Sequence, residues 1–237
     1  MRIIILLLIF FSSIKTFSQR VVDVSKNNSA ATSGLFYAVG GQPMNNAKYV
    51  AIVEGSAYFN EAFLNGKIIL SGGKVYDSLS LRLDLMDNTL HYIDKDGEEL
   101  IATTPVKSVC FKDLSLKTET QFDYADFIKT TSKIETGWYQ LLDTGMVILY
   151  KRHFKSIKEN RPYGSATIEQ TISTSNYYYV LINAVFKPVK KIKQLPEMLQ
   201  DKNAELTEYI KSKSLTGKSD KDYIELVAYY NSLFVKK

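Results

Sequence analysis

The chain has 237 residues and a formal charge of +5, enough length for one domain or two small ones and too little charge for a nucleic-acid binder. Its one cysteine, Cys110, excludes an intramolecular disulfide, so the hydrophobic core must hold the protein together.

Residues 1–18 read as a signal peptide. Arg2 supplies the positive start, residues 3–11 are an unbroken apolar run, and Thr16 and Ser18 are the small residues of a cleavage site. The run is shorter than the roughly 20 residues of a membrane span, and no other window is long and apolar enough to span a bilayer as a helix. Removal of Arg2 and Lys15 with this segment lowers the formal charge to +3.

Residues 19–46 read as a partly ordered N-terminal arm. Asn27, Asn28, Gly40 and Gly41 interrupt it, with one short strand at 35–39. Residues 47–123 read as a β meander. Residues 49–53 form its first strand, and Tyr58, Phe59 and Phe63 plug one end of the sheet. Leu79, Leu81, Leu83 and Leu85 alternate with Ser80, Arg82 and Asp84, so one strand face is apolar and the other wet. Gly72-Gly73, Asp87-Asn88 and Asp96-Gly97 mark turns, and residues 106–111 close the meander with Cys110 on a core strand.

Residues 124–193 read as a second β unit of the same or a closely packed domain. Residues 138–142 and 146–152 make a hairpin around Asp143-Thr144-Gly145, and residues 166–171 and 176–184 make a second one. Residues 194–237 read as a helical segment. Pro196 suits a helix start, and Asp201 is placed to cap the helix carrying Leu206, Tyr209 and Ile210. Ser219-Asp220-Lys221-Asp222 fits a capping box, followed by an apolar stripe of Tyr223, Leu226, Val227, Tyr230, Leu233 and Phe234. The fold class expected is α+β: an antiparallel twisted sheet or half-barrel, built from a meander and hairpins, with C-terminal helices packed against it.

The tract Glu54-Gly55-Ser56-Ala57-Tyr58-Phe59-Asn60-Glu61, with Gly66-Lys67-Ile68-Ile69-Leu70 and Gly73-Lys74-Val75-Tyr76, resembles a group of uncharacterised secreted proteins of Bacteroidota. So do the Phe17-Ser18-Gln19 end of the leader and the lysine-rich helical ending with Tyr229-Tyr230-Asn231. Members of that group have a β-rich body and a lysine-rich helical C-terminus. The resemblance implies export to the periplasm or outer surface of a Gram-negative cell and carries no functional residue with it.

Chemical motifs are sparse. Gly217-Lys218-Ser219 matches the end of a phosphate-binding loop, but Ser212 stands where a glycine is required, and the residues read as a break between helices. Asp94-Lys95-Asp96-Gly97 matches the middle of a calcium loop, but Tyr92 and Thr103 occupy positions that need acids, and a hairpin turn explains the same residues. His91 and His153 sit in strand-like contexts without the companions of a zinc site or a nucleophile elbow. Trp138-Tyr139 with Tyr177-Tyr178-Tyr179 offers a candidate aromatic platform for sugars. Lys187, Lys190, Lys191 and Lys193 form a strip that could either block a sheet edge or meet anionic lipid headgroups.

No residue is singled out as catalytic, cofactor-binding or metal-binding, and no cofactor is expected. The chain reads as an exported non-enzymatic envelope protein that binds a lipid, a glycan or a protein partner, with no transmembrane span in the mature chain. Two other readings stay open: a carboxylate-based hydrolase acting on cell-envelope material, and a component of an envelope assembly.

Overall fold

The structure, a computed structural model, describes residues 21–23, 41–43, 50–113, 118–163 and 168–234. The signal segment, the strand expected at 35–39 and most of the N-terminal arm lie outside the described residues. Two pieces of the arm, β1 (Val21–Asp23) and β2 (Gly41–Pro43), are sheet strands.

The meander is built as the alternation requires. Strands β4 (Leu64–Leu70), β5 (Val75–Leu83), β6 (Leu90–Ile93) and β7 (Glu99–Ala102) follow one another, and β8 (Val106–Asp113) returns to pair with β4. Leu79, Leu81, Leu83 and Leu85 are buried and Ser80 is exposed. Asp84, expected on the wet face, is buried instead, because its carboxylate accepts the backbone N–H groups of Met86 and Asp87 and so holds the turn before β6. Strand β9 (Thr118–Tyr124) pairs with β8, and β10 (Trp138–Asp143) with β9. The sheet continues through β11 (Val147–Asn160), β12 (Ile168–Ile182) and β13 (Val185–Val189). The path runs β13-β12-β11-β10-β9-β8-β4-β5-β6-β7-β2, antiparallel throughout and not closed into a barrel. Two parallel pairs are added beside it, β1 on β5 and β3 (Val50–Glu54) on β12.

Strand β3 therefore does not open the meander. It lies on the distal half of β12, where Val50 is opposite Ile168. Gly55, just after it, has φ +79°, and a Cβ there would come within 1.9 Å of the Ile172 carbonyl oxygen, so only glycine lets the two backbones approach this closely.

The second hairpin expected within 166–184 is also absent. Strand β12 runs unbroken, its residues paired with β11 from Val147 opposite Ile182 to Asn160 opposite Glu169. Ser173, Thr174 and Ser175 looked like a turn because they are polar, but none supplies the positive φ or fixed proline geometry that a tight turn needs. Their backbones pair with β11 and their side chains face water, with the Ser173 and Ser156 hydroxyls 2.9 Å apart. The result is a two-stranded ribbon. Pairing of β11 to β10 ends at Lys151, so beyond it the ribbon consists of β11 and β12, with β3 added along the far end of β12.

Two apolar clusters share one face of the sheet, because Phe122 is opposite Gln140 and Gln140 is opposite Lys151. One gathers Ile68, Leu81, Leu83, Val109, Phe111, Phe122 and Trp138, so the sheet curls around it. Phe59 packs on Phe111 and Phe122 and closes its end, as the aromatic plug requires. The other joins Val147, Leu149 and Val180 to three short C-terminal helices: α1 (Leu195–Met198), α2 (Asn203–Ser212) and α3 (Asp220–Ser232). Tyr139, Tyr150, Leu181 and Phe186 make a smaller cluster on the opposite face, under Ala125 and Ile128.

Helix α3 is capped by Ser219, whose hydroxyl accepts the Asp222 N–H, and it buries Tyr223, Leu226, Val227 and Tyr230. Burying each such side chain stabilises the fold by about 1.5–3 kcal/mol before entropy is counted. Gly217, at φ +74°, breaks the chain between α2 and α3. Asp201 does not cap α2. Lys202 is the residue preceding the helix, and the Asp201 carboxylate accepts the Tyr230 hydroxyl at 3.2 Å instead, tying α3 to the 3-10 turn between α1 and α2. Among the described residues no helix is long and apolar enough to cross a membrane.

Candidate functional site

A cleft of about 290 Å³ opens among the loops at one end of the curled sheet. Three separate stretches build it: the β5–β6 turn with Asn88 and Thr89, the β7–β8 loop with Thr103, Thr104 and Pro105, and the 3-10 turn after β9 with Asp126 and Phe127. Trp138 is its floor. The indole is almost fully covered, donates its N–H to the Asn88 carbonyl at 3.1 Å, and meets the Tyr124 ring edge-on at 5.0 Å. The Ala125 N–H to Gly137 carbonyl bond fixes the 3-10 turn to the start of β10. Burial, and then the charge of Asp126, raise the Tyr124 pKa, so its hydroxyl keeps its proton. The lining thus combines the rings of Tyr124, Phe127 and Trp138 with amide, hydroxyl and carboxylate groups. Asp126 is the only carboxylate in the lining, so a pair of facing acids is not assembled here.

A second opening of about 250 Å³ on the other face contains Cys110, Gln121, Glu119 and Asp143. Both acids are already engaged. Glu119 accepts the Cys110 thiol and the Lys67 ammonium, each at 3.3 Å, and these bonds, the thiol's first, hold its carboxyl below the usual range. Asp143 accepts the Asn231 amide at 3.0 Å. Burial, then the bond to Glu119, pushes the Cys110 thiol up to about 11. A thiol so placed is a poor nucleophile.

The histidines are held in packed settings. His91 Nδ1 lies 2.6 Å from Glu99, whose same oxygen takes a hydrogen bond from Arg82. The Arg82 guanidinium lies over the rings of Tyr58 and Phe63 at 4.0 and 4.5 Å. Burial raises the Glu99 carboxyl, but the bonds from His91 and Arg82 outweigh it and leave it below the usual range. His153 lies against Phe59 and Phe122 and bonds Gln140 at 2.7 Å. Burial, then the Lys151 charge, pushes its pKa down to about 4. Lys151 itself pairs with Asp220 at 2.7 Å beneath the start of α3, and the Tyr178 hydroxyl donates to the same carboxylate. Among the described residues four carboxylates are displaced from the ordinary range, Glu99, Glu119, Asp220 and Asp222, and all four are displaced downward. None of these is poised as a proton donor at neutral pH.

The aromatic platform expected from sequence does not assemble. Trp138 and Tyr139 are core residues. Tyr178 stacks on Tyr223 at 3.8 Å beneath α3, and Tyr179 stacks on Phe186. Tyr177 alone of the set is open, half exposed beside Phe154 on the ribbon. Asp94 accepts the N–H groups of Asp96 and Glu98, the work of a hairpin turn. Among the described residues no group of three or more His, Cys, Asp or Glu side chains is arranged to hold a metal ion. Lys187, Lys190, Lys191 and Lys193 are all exposed. Sequence reasoning missed the cleft residues, because Asn88, Thr103, Asp126 and Phe127 form no local pattern. The neighbouring turn signal and the lone tryptophan were the only marks of the place.

Comparison of the chain with protein-family models, with curated proteins and with solved structures finds no match.

Proposed function

We propose that this is an exported, non-enzymatic protein of the cell envelope, of the secreted Bacteroidota kind that its sequence resembles, and that it binds a glycan in the Trp138 cleft. The observation that carries the reading is the composition of that cleft: three aromatic residues, several hydroxyl and amide groups, and one carboxylate. Sugar rings stack their C–H faces on aromatic surface and hydrogen-bond at their rims, whereas hydrolysis by carboxylates needs two acids at a set separation. The volume lies just below the range usual for ligand pockets, about 300–1,000 Å³, which suits no more than a short glycan unit.

The test uses Trp138, the only tryptophan, as its reporter. Soluble peptidoglycan fragments and neutral oligosaccharides should cause a saturable change in its fluorescence, and Thr103→Phe, which fills the cleft, should abolish the change. The glycan should be recovered uncut. Absence of saturation with every sugar tried refutes the reading, and cleavage moves the carboxylate hydrolase ahead of it.

A second reading, a component of an envelope assembly, is favoured by the ribbon, where Phe154, Ile157, Tyr163 and Tyr177 stand exposed. Loss of a co-purifying envelope partner on Phe154→Ser with Ile157→Ser would support it.

A further inference from the structure

We infer that the outer edge of β13 is a docking surface for the anionic headgroups of a lipid bilayer. The inference is independent of the glycan cleft.

Four lysines follow one another along this edge and the chain leaving it: Lys187, Lys190, Lys191 and Lys193. The fold adds two more from a distant stretch. Residues 130–132 lie against the β12–β13 turn. The Ala184 carbonyl accepts from the Thr130 hydroxyl at 2.8 Å, the Thr131 N–H at 2.8 Å and the Thr131 hydroxyl at 3.2 Å. The Ser132 hydroxyl accepts the Phe186 N–H at 3.0 Å. Lys129 and Lys133 flank this clamp, so they stand beside the same edge as Lys187. All six are exposed, and among the described residues none of them is ion-paired with a carboxylate. Some lysines elsewhere are paired, Lys67 with Glu119, Lys112 with Asp77, Lys151 with Asp220 and Lys202 with Glu205, whereas others among the described residues, such as Lys107 and Lys158, stand singly, so what sets the six apart is their clustering along one edge.

The bland account of edge lysines is that they stop another strand from adding. Here that task is already done. The Phe186 N–H points outward and is taken by Ser132, and Pro188, two residues on and so the next to face outward, has no N–H. The edge offers no free donor between Val185 and Val189, so the lysines are not needed to block it. A row of like charges strung along an edge complements an extended negative surface rather than a single bound ion. Two neighbouring acids do not neutralise it: Glu135 is paired with Arg152, and Asp126 faces the cleft. Near an anionic surface each lysine contributes about 1 kcal/mol, or roughly five-fold in partition.

The experiment is sedimentation of the purified protein with vesicles of phosphatidylglycerol and phosphatidylcholine, and with phosphatidylcholine alone. Binding should require the anionic lipid and fall steeply with added salt. Lys129→Ala with Lys133→Ala should weaken it more than ten-fold, although these residues are more than fifty positions from the lysine strip in sequence. Lys107→Ala with Lys158→Ala, which removes the same charge from exposed sites elsewhere, should change it less than three-fold. All six side chains are exposed, so the melting temperature of each variant should match that of the parent. Equal binding to neutral vesicles, no binding at low salt, or an equal loss in the two double variants would each overturn the inference. Loss of vesicle binding with an intact Trp138 response to sugar would leave the glycan reading standing.

Discussion

Asn231, near the end of α3, is expected to be worth several times an ordinary surface residue. Its Oδ1 accepts the Val147 N–H at 2.9 Å, and its Nδ2 donates to the Val147 carbonyl at 2.9 Å and to Asp143 at 3.0 Å. The side-chain amide thus supplies Val147 with both bonds that a neighbouring strand residue would. Val147 is 1% exposed, so water cannot easily replace the amide. Asn231→Leu keeps the approximate volume and removes every one of these bonds. A buried backbone group left without a partner costs about 1–3 kcal/mol, and partial relaxation of the hairpin toward water lowers the sum for two. The expected loss is therefore about 2–4 kcal/mol, which for a chain of this size corresponds to a fall of roughly 5–15 °C in melting temperature. Urea unfolding followed by circular dichroism at pH 7 measures it, with Lys221→Ala, an exposed site on the same helix, as a control expected to stay within about 0.5 kcal/mol. A loss below about 0.5 kcal/mol for Asn231→Leu would show that α3 is not clamped to the β10–β11 turn.

Two further outcomes follow from the buried groups. Cys110, with its thiol held up to about 11, should react slowly with a maleimide in the native protein and quickly in urea, and fast native labelling would place its side chain on the wrong side of β8. His153 should make stability fall with acid. Its folded pKa is about 4 and its unfolded value about 6.5, so between these limits the unfolded chain binds the proton first and stability drops by up to about 1.4 kcal/mol per pH unit. His153→Gln should flatten that part of the pH profile relative to the parent, and an unchanged slope would refute the assignment.

Local order was legible in the amino-acid sequence wherever a period or a turn residue repeats. The Leu79-Leu81-Leu83-Leu85 alternation determined β5 and its buried face. Asp96-Gly97 determined a hairpin, and Ser219 with the stripe from Tyr223 to Tyr230 determined α3, its start and its buried side. These follow from the side-chain repeats of strand and helix, which act within a few residues. Pairing between distant segments has no such local mark. Only the tertiary structure decided that β3 leaves the meander for β12, that Ser173-Thr174-Ser175 continues a strand, and that Asp201 serves Tyr230 rather than its own helix. In each case a backbone or carboxyl group found a partner far along the chain that outweighed the local choice. The cleft and the basic edge are of the same kind. Trp138 meets Asn88, and Lys129 and Lys133 meet the β13 edge, through hydrogen bonds at Trp138, Thr130, Thr131 and Ser132 that span about fifty residues, beyond the reach of any sequence period.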